Sequence, residues 1–155
     1  MTSWRDRSAG AIGAPLVRDV LLDTGPIVAT LDAKDQWHAR CVGLWDTLLD
    51  RCVTTEAVVT EACHLVGRGR ADGALPLDFL LAAGIPLIGL EAALQHEAVR
   101  LMRRYARLPM DYADAGLVAL ADALDTGTVF TTDRRGFATY RTLLGRRFET
   151  LPSDR

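Results

Sequence analysis

Lysine is almost missing from this chain. Lys34 stands alone, and arginine supplies the rest of the 18 basic residues. Against 20 acids this leaves a net charge of -2, which excludes attachment to nucleic acid or membrane by bulk charge alone but allows a local basic face. The arginine fork suits bidentate phosphate contacts. A GC-rich genome gives the same bias, so the excess alone assigns nothing. Cysteine is also scarce: Cys41, Cys52 and Cys63 are an odd number without CxxC spacing. That argues against a disulfide framework or a structural zinc site and for small core residues in a reducing cytoplasm. No long apolar run occurs. Phe79 to Leu90 comes nearest, but it is too short for a bilayer and is broken by Gly84 and Pro86. Residues 1–17 carry no apolar signal segment. A soluble, cytoplasmic protein without membrane contact is expected. The GxSxG nucleophile turn and the GxxxxGK[ST] phosphate loop are both missing.

What is present fits one globular domain. The chain has 155 residues, 49% of them hydrophobic and 25% charged, enough to bury a core without staples. Residues 1–17, rich in Gly, Ala and Ser, read as a mobile tail, and 18–155 as the domain. Short apolar runs at Val17–Leu22, Arg51–Thr54, Pro86–Leu90, Thr128–Thr131 and Arg147–Leu151 read as strands. Between them the spacing predicts helices over Ile27–Leu31, Gln36–Asp50, Thr55–Gly67, Ala71–Ala83, Glu91–Arg107 and Tyr112–Leu124. Trp37, Cys41, Leu44, Trp45 and Leu48 share one face of the second helix, which is either core or a docking surface. Val58, Cys63, Leu65 and Val66 are the expected buried side of the third. Strands alternating with helices predict an α/β fold: a three-layer sandwich with a central parallel sheet flanked by helices. In such sheets the site lies beyond the carboxyl ends of the strands.

Asp23 and Asp133 each follow a strand and should project into that crevice. Glu61 lies inside a helix, and Asp114 in the first turn of another. Singly, such residues are commonly turn formers, caps or solvated acids. Jointly, four carboxylates in one pocket repel one another unless a cation sits among them. An oxygen-only donor set suits Mg2+ or Mn2+, and magnesium with open positions serves phosphoryl transfer. Asp111, three residues before Asp114, fits an N-cap with a secondary role in the site.

The segments LLDTGPIVA around Asp23, EAVVTEACHLVG around Glu61, MDYADAGLVALAD around Asp114 and VFTTDRRGF around Asp133 resemble, in order and spacing, the four motifs of the PIN domain family. The resemblance spans roughly residues 18–152. It implies a parallel α/β fold and a metal-dependent endoribonuclease, with many members acting as VapC-type toxins of bacterial toxin–antitoxin pairs. Carried over, Asp23, Glu61, Asp114 and Asp133 match the acidic quartet, with Asp23, Asp114 and Asp133 as metal ligands and Thr24 and Thr132 as polar neighbours. RNA, a small antitoxin protein and a second copy in a homodimer are the implied partners. Where many relatives carry a further acid two residues after the last aspartate, this chain has Arg135, which implies a looser second ion.

Arg68, Arg70, Arg134 and Arg135, with Arg146 and Arg147 further on, would form a basic rim gripping RNA phosphates, or merely a solvated surface. The pair Glu61 and His64 has ExxH spacing, but a di-iron bundle needs a second such pair and two more helix acids. Asp23-Thr24-Gly25 lacks the second acid that a haloacid-dehalogenase-like phosphatase carries at the place of Gly25. His38 and His96 fit surface or boundary positions. The alternative to the nuclease is a domain of the same fold that binds RNA without cutting it.

Overall fold

A computed structural model describes residues 17–69 and 71–153. The expected tail therefore lies outside the described residues except for Val17, and so does Arg70. The sheet is built from β1 (Val20–Leu22), β2 (Cys52–Thr55), β3 (Leu87–Ile88), β4 (Thr128–Phe130) and β5 (Glu149–Leu151). Every pairing is parallel, in the order β3-β2-β1-β4-β5. Val20, Leu21 and Leu22 are fully buried, as are Val53, Val129 and Phe130. Strands apolar on both faces belong in the middle layer of a sandwich. The chain steps outward from β1 to β3, then returns to place β4 on the other flank of β1. The strand order thus reverses between β1 and β4, where parallel sheets open a crevice.

The helices are α1 (Thr24–Leu31), α2 (His38–Val42), α3 (Trp45–Leu48), α4 (Glu56–Arg68), α5 (Leu75–Ala82), α6 (Ala92–Arg104), α7 (Tyr112–Ala123) and α8 (Arg134–Thr139). They flank the sheet, and α6 packs along α7. Helix α7 is buried from Ala115 to Ala121, because its small residues let the surrounding elements close on it. No helix among the described residues is long and apolar enough to cross a membrane.

Three expectations need correction. The helix predicted over Gln36–Asp50 is broken into α2, α3 and a 3-10 turn at Leu49–Arg51. The break falls at Gly43, a weak helix former, and the Asp35 side chain takes the Trp37 N–H at 2.7 Å in a turn ahead of α2. The apolar face still points inward. Trp45 meets Phe79 and Phe130 edge-on at 5.2 and 5.1 Å, and its indole N–H donates to Thr30 Oγ1 at 2.8 Å. Trp45 is therefore core and cannot serve a docking surface. Leu65, expected inside, is 43% exposed, and Ala62 and Val59 take its place. Helix α8 had no apolar period to reveal it. It forms because the Asp133 carboxylate takes the Gly136 N–H at 2.9 Å.

Candidate active site

Four acids reach the carboxyl edge of the sheet from four elements. Asp23 follows β1, and its backbone N–H is tied to Phe130 of β4 at 2.9 Å. Its Oδ1 takes the Thr24 N–H at 2.7 Å and caps α1, while Oδ2 takes the Thr131 hydroxyl at 2.6 Å. Asp133 lies beyond β4 and caps α8. Glu61 comes from the second turn of α4, where Oε2 accepts the Thr24 hydroxyl at 2.5 Å. Asp114 sits in the first turn of α7 and shares a capping box with Asp111: the Asp114 N–H donates to Asp111 Oδ1 at 2.9 Å, and Asp114 Oδ2 accepts the Asp111 N–H at 3.4 Å.

The acids feel one another. Burial first, then the charges of Glu61 and Asp133, push the Asp23 carboxyl up to about 6, against the pull of the Thr131 and Thr24 hydrogen bonds. Asp114 is pushed up to about 8 by burial and by the charges of Asp23, Asp111 and Asp133. Glu61 is raised by burial and by Asp111, opposed by Thr24. No basic group contributes to any of these three shifts. Like charges held together without a cationic side chain destabilise the site as it ionises. A divalent cation relieves that repulsion, and oxygen-only donors are what hard ions prefer. Among the described residues, no group of three or more His, Cys, Asp or Glu side chains is already arranged round one point as an ion site. The fit therefore rests on donor chemistry and unbalanced charge.

A family model described as the PIN domain matches residues 20–143, which contain all four acids. This chain belongs to the PIN domain family. Ribonuclease VapC26 of Mycobacterium tuberculosis is 34% identical over 135 residues, covering 86% of this chain and all of that protein. Among solved structures, VapC20 of M. tuberculosis, titled a sarcin-ricin loop cleaving toxin, superposes with a TM-score of 0.67 at 19% identity. That match covers 74% of this chain and 92% of the other, and it shows likeness of fold.

In this PIN domain Thr24 contacts two of the acids: its N–H donates to Asp23 Oδ1 and its hydroxyl to Glu61 Oε2. Asp111 is exposed and caps α7. Thr132 packs against Gly25 instead of touching Asp23: a Cβ on Gly25 would meet Thr132 Oγ1 at 1.9 Å. The threonine that sequence reasoning missed is Thr131. Fully buried, it donates to Asp23 and accepts the Asp133 N–H at 2.9 Å, so one hydroxyl links two of the acids. Tyr140 was missed as well. Its ring is buried beside Asp114; burial and the charges of Asp114, Asp133 and Asp111 hold its hydroxyl protonated to unusually high pH. No motif marked it, since α8 brings it there. Gly136 makes the arrangement possible, because a Cβ there would lie 2.1 Å from Asp133 Oδ2.

The arginines divide. Arg68 and Arg135 are exposed, at the end of α4 and the start of α8. Arg134 turns inward: it donates to Thr150 Oγ1 at 2.8 Å and to the Pro152 carbonyl, and it lies over the Trp37 ring at 5.1 Å. Arg146 pairs with Asp122 at 2.7 Å, near the far end of α7 from Asp114. Closeness in sequence to Asp133 therefore does not bring Arg146 to the acids.

Proposed function

We propose that this PIN domain is a Mg2+- or Mn2+-dependent endoribonuclease and the toxin of a VapBC-type pair, acting in the cytoplasm and held in check by a small antitoxin. The observation that carries the reading is the convergence of Asp23, Glu61, Asp114 and Asp133 on one sheet edge, where the carboxyls of Asp23, Glu61 and Asp114 are raised by burial and by neighbouring acids. The likeness to Ribonuclease VapC26 over all of that protein's length supports the same activity here. The antitoxin and the homodimer rest on that likeness alone.

Asp23, Asp114 and Asp133 would hold the ion. When bound, such an ion polarises the phosphate and lowers the pKa of water. The protein supplies position. Thr131 fixes Asp23 and the backbone of Asp133, and the α7 cap fixes Asp114. Glu61, steadied by Thr24, orients the attacking water and takes a hydrogen bond from it. Water adds to phosphorus in line and its proton passes to a carboxylate; the P–O bond to the ribose breaks, and the departing ribose oxygen takes up a proton from solvent. No side chain acts as nucleophile. Exposed Arg68 and Arg135 would flank the RNA backbone, whereas Arg134 is engaged with Thr150 and Pro152.

The test is cleavage of single-stranded RNA by wild type and Asp114→Asn, each in Mg2+ and in EDTA. Wild type cuts only with the metal, and the variant loses about 100-fold or more, at or beyond the top of the 10–100-fold cost typical when only a partner supporting a metal ligand is removed. Undiminished cutting by Asp114→Asn, or by wild type in EDTA, contradicts the reading. The non-cutting alternative predicts RNA binding with no cleavage in any lane.

A further inference from the structure

Beside the acids lies a groove of about 680 Å³ of whose lining the mechanism uses only Glu61. Its walls come from the start of α4, the strand-to-helix turn after β3, and the start of α7. Glu61 and Asp111 belong to both the groove and the acidic cluster, so the two are continuous. Ile88, Gly89 and Leu90 give an apolar wall, and Tyr112 stands on the rim, 43% exposed. His64, left over from the ExxH pair, is on the same rim and also exposed. The charged members of the lining are acids: Glu56, Glu61 and Asp111.

That chemistry selects an occupant. A phosphate is repelled by three carboxylates. A flat, neutral ring fits an apolar slot with an exposed aromatic beside it, since stacking on aromatic side chains is how unpaired bases are held. The volume lies within the range of small-ligand sites. We propose that this groove receives one unpaired nucleobase of the RNA next to the scissile phosphate, and that it favours guanine. Carboxylates only accept hydrogen bonds when ionised. Guanine presents two adjacent donors, N1–H and the N2 amine, to a single carboxylate. Uracil presents one N–H between two carbonyl oxygens, which the acids repel. Glu56, exposed in the first turn of α4 and outside the metal-holding set, is the acceptor assigned to the guanine edge. Tyr112 is the stacking platform. This inference rests on the nuclease reading for its substrate, but base recognition is measurable without any chemistry.

Isotope-labelled full chain in EDTA is titrated with guanosine and with uridine, following backbone amide shifts. These probes carry no phosphate and cannot be cleaved. Guanosine is expected to shift amides of Glu56, Gly89 and Tyr112 and to bind at least fivefold tighter than uridine. Tyr112→Ala should weaken guanosine at least fivefold, at the lower end of what one base–aromatic stack gives. Tyr112→Phe should restore it, and Glu56→Gln should remove the preference over uridine. Both positions are exposed, and an unchanged amide spectrum elsewhere certifies the fold. Shifts scattered away from the groove, equal binding of both nucleosides, or indifference to Tyr112→Ala overturns the proposal. So does sedimentation showing that Tyr112→Ala turns a dimer into a monomer, because a second copy would then fill the groove. If wild type cuts no RNA yet binds guanosine here with the predicted preference, the nuclease reading fails while guanine recognition by the groove stands without a scissile phosphate beside it.

Discussion

At the scale of single residues, the account turns on how four carboxylates are held. Thr131 is the sharpest case, since one buried hydroxyl serves Asp23 and the backbone of Asp133. Thr131→Val keeps the shape but strands both partners. Supporting hydrogen bonds of this kind are typically worth 10–100-fold in metal affinity or activity, so kcat should fall by about that range while circular dichroism stays native. An unchanged kcat would deny Thr131 its role. The raised carboxyls give a second prediction. Burial and neighbouring acids push the Asp114 carboxyl up to about 8 and that of Asp23 up to about 6, against 3.8 for an ordinary aspartate. The folded chain therefore holds more protons than the unfolded chain between these values. Stability in EDTA should be greatest near pH 4 and decline as pH rises toward 8. Asp114→Asn should flatten the upper part of that slope, as read by urea midpoints across pH. Metal affinity should rise over the same interval, because the ion displaces protons.

At the scale of elements, short α8 has more influence than its six residues suggest. It is started by Asp133, passes over Gly136 and delivers Tyr140 to Asp114. A Cβ at Gly136 would meet Asp133 Oδ2 at 2.1 Å and the Tyr140 ring at 2.9 Å. Gly136→Ala should therefore cost activity out of proportion to stability: at least tenfold in kcat, with the conservative effect of supporting-shell changes as the guide. Loss of stability with kcat intact would contradict it. The same element marks where the sequence was opaque. Strands β1 and β4 were legible because VLL and TVF are apolar runs ended by Asp and Thr. The helices holding Glu61 and Asp114 were legible through period and caps, Thr55 and Asp111 among them. Helix α8 has a glycine inside and no apolar stripe, so nothing local announced it. Thr131 and Thr132 are equivalent by type, and only the pleat decides which one turns toward Asp23. The break at Gly43 was visible as a glycine, but continuous apolar spacing across it argued for one helix, and the packing of Trp45 in the core overrode that.

At the scale of the molecule, topology explains why residues so distant in sequence meet. The order β3-β2-β1-β4-β5 reverses between β1 and β4, and Asp23 and Asp133 stand at the ends of those two strands. Helices α4 and α7, packed together, bring Glu61 and Asp114 to the same edge. The near-neutral net charge conceals a division into an acidic hollow and scattered arginines, most of which serve elsewhere. Arg146 belongs to Asp122, and Arg134 ties β5 and the Pro152 carbonyl just after it back to Trp37. Steering of RNA should accordingly be weak and only mildly salt-dependent, with a slope equivalent to about two or three phosphate contacts. A steep slope would contradict the division of the arginines drawn above.

The central claim is that Asp23, Asp114 and Asp133 serve one ion. Calorimetric titration of Mn2+ into wild type and into Asp23→Asn, Asp114→Asn and Asp133→Asn at pH 8 tests it most directly. The account predicts that each substitution weakens the same binding event at least tenfold, in keeping with the loss of a ligand, and reduces the protons released. A substitution that leaves Mn2+ affinity at the wild-type value would remove its carboxylate from the shared site and contradict the account.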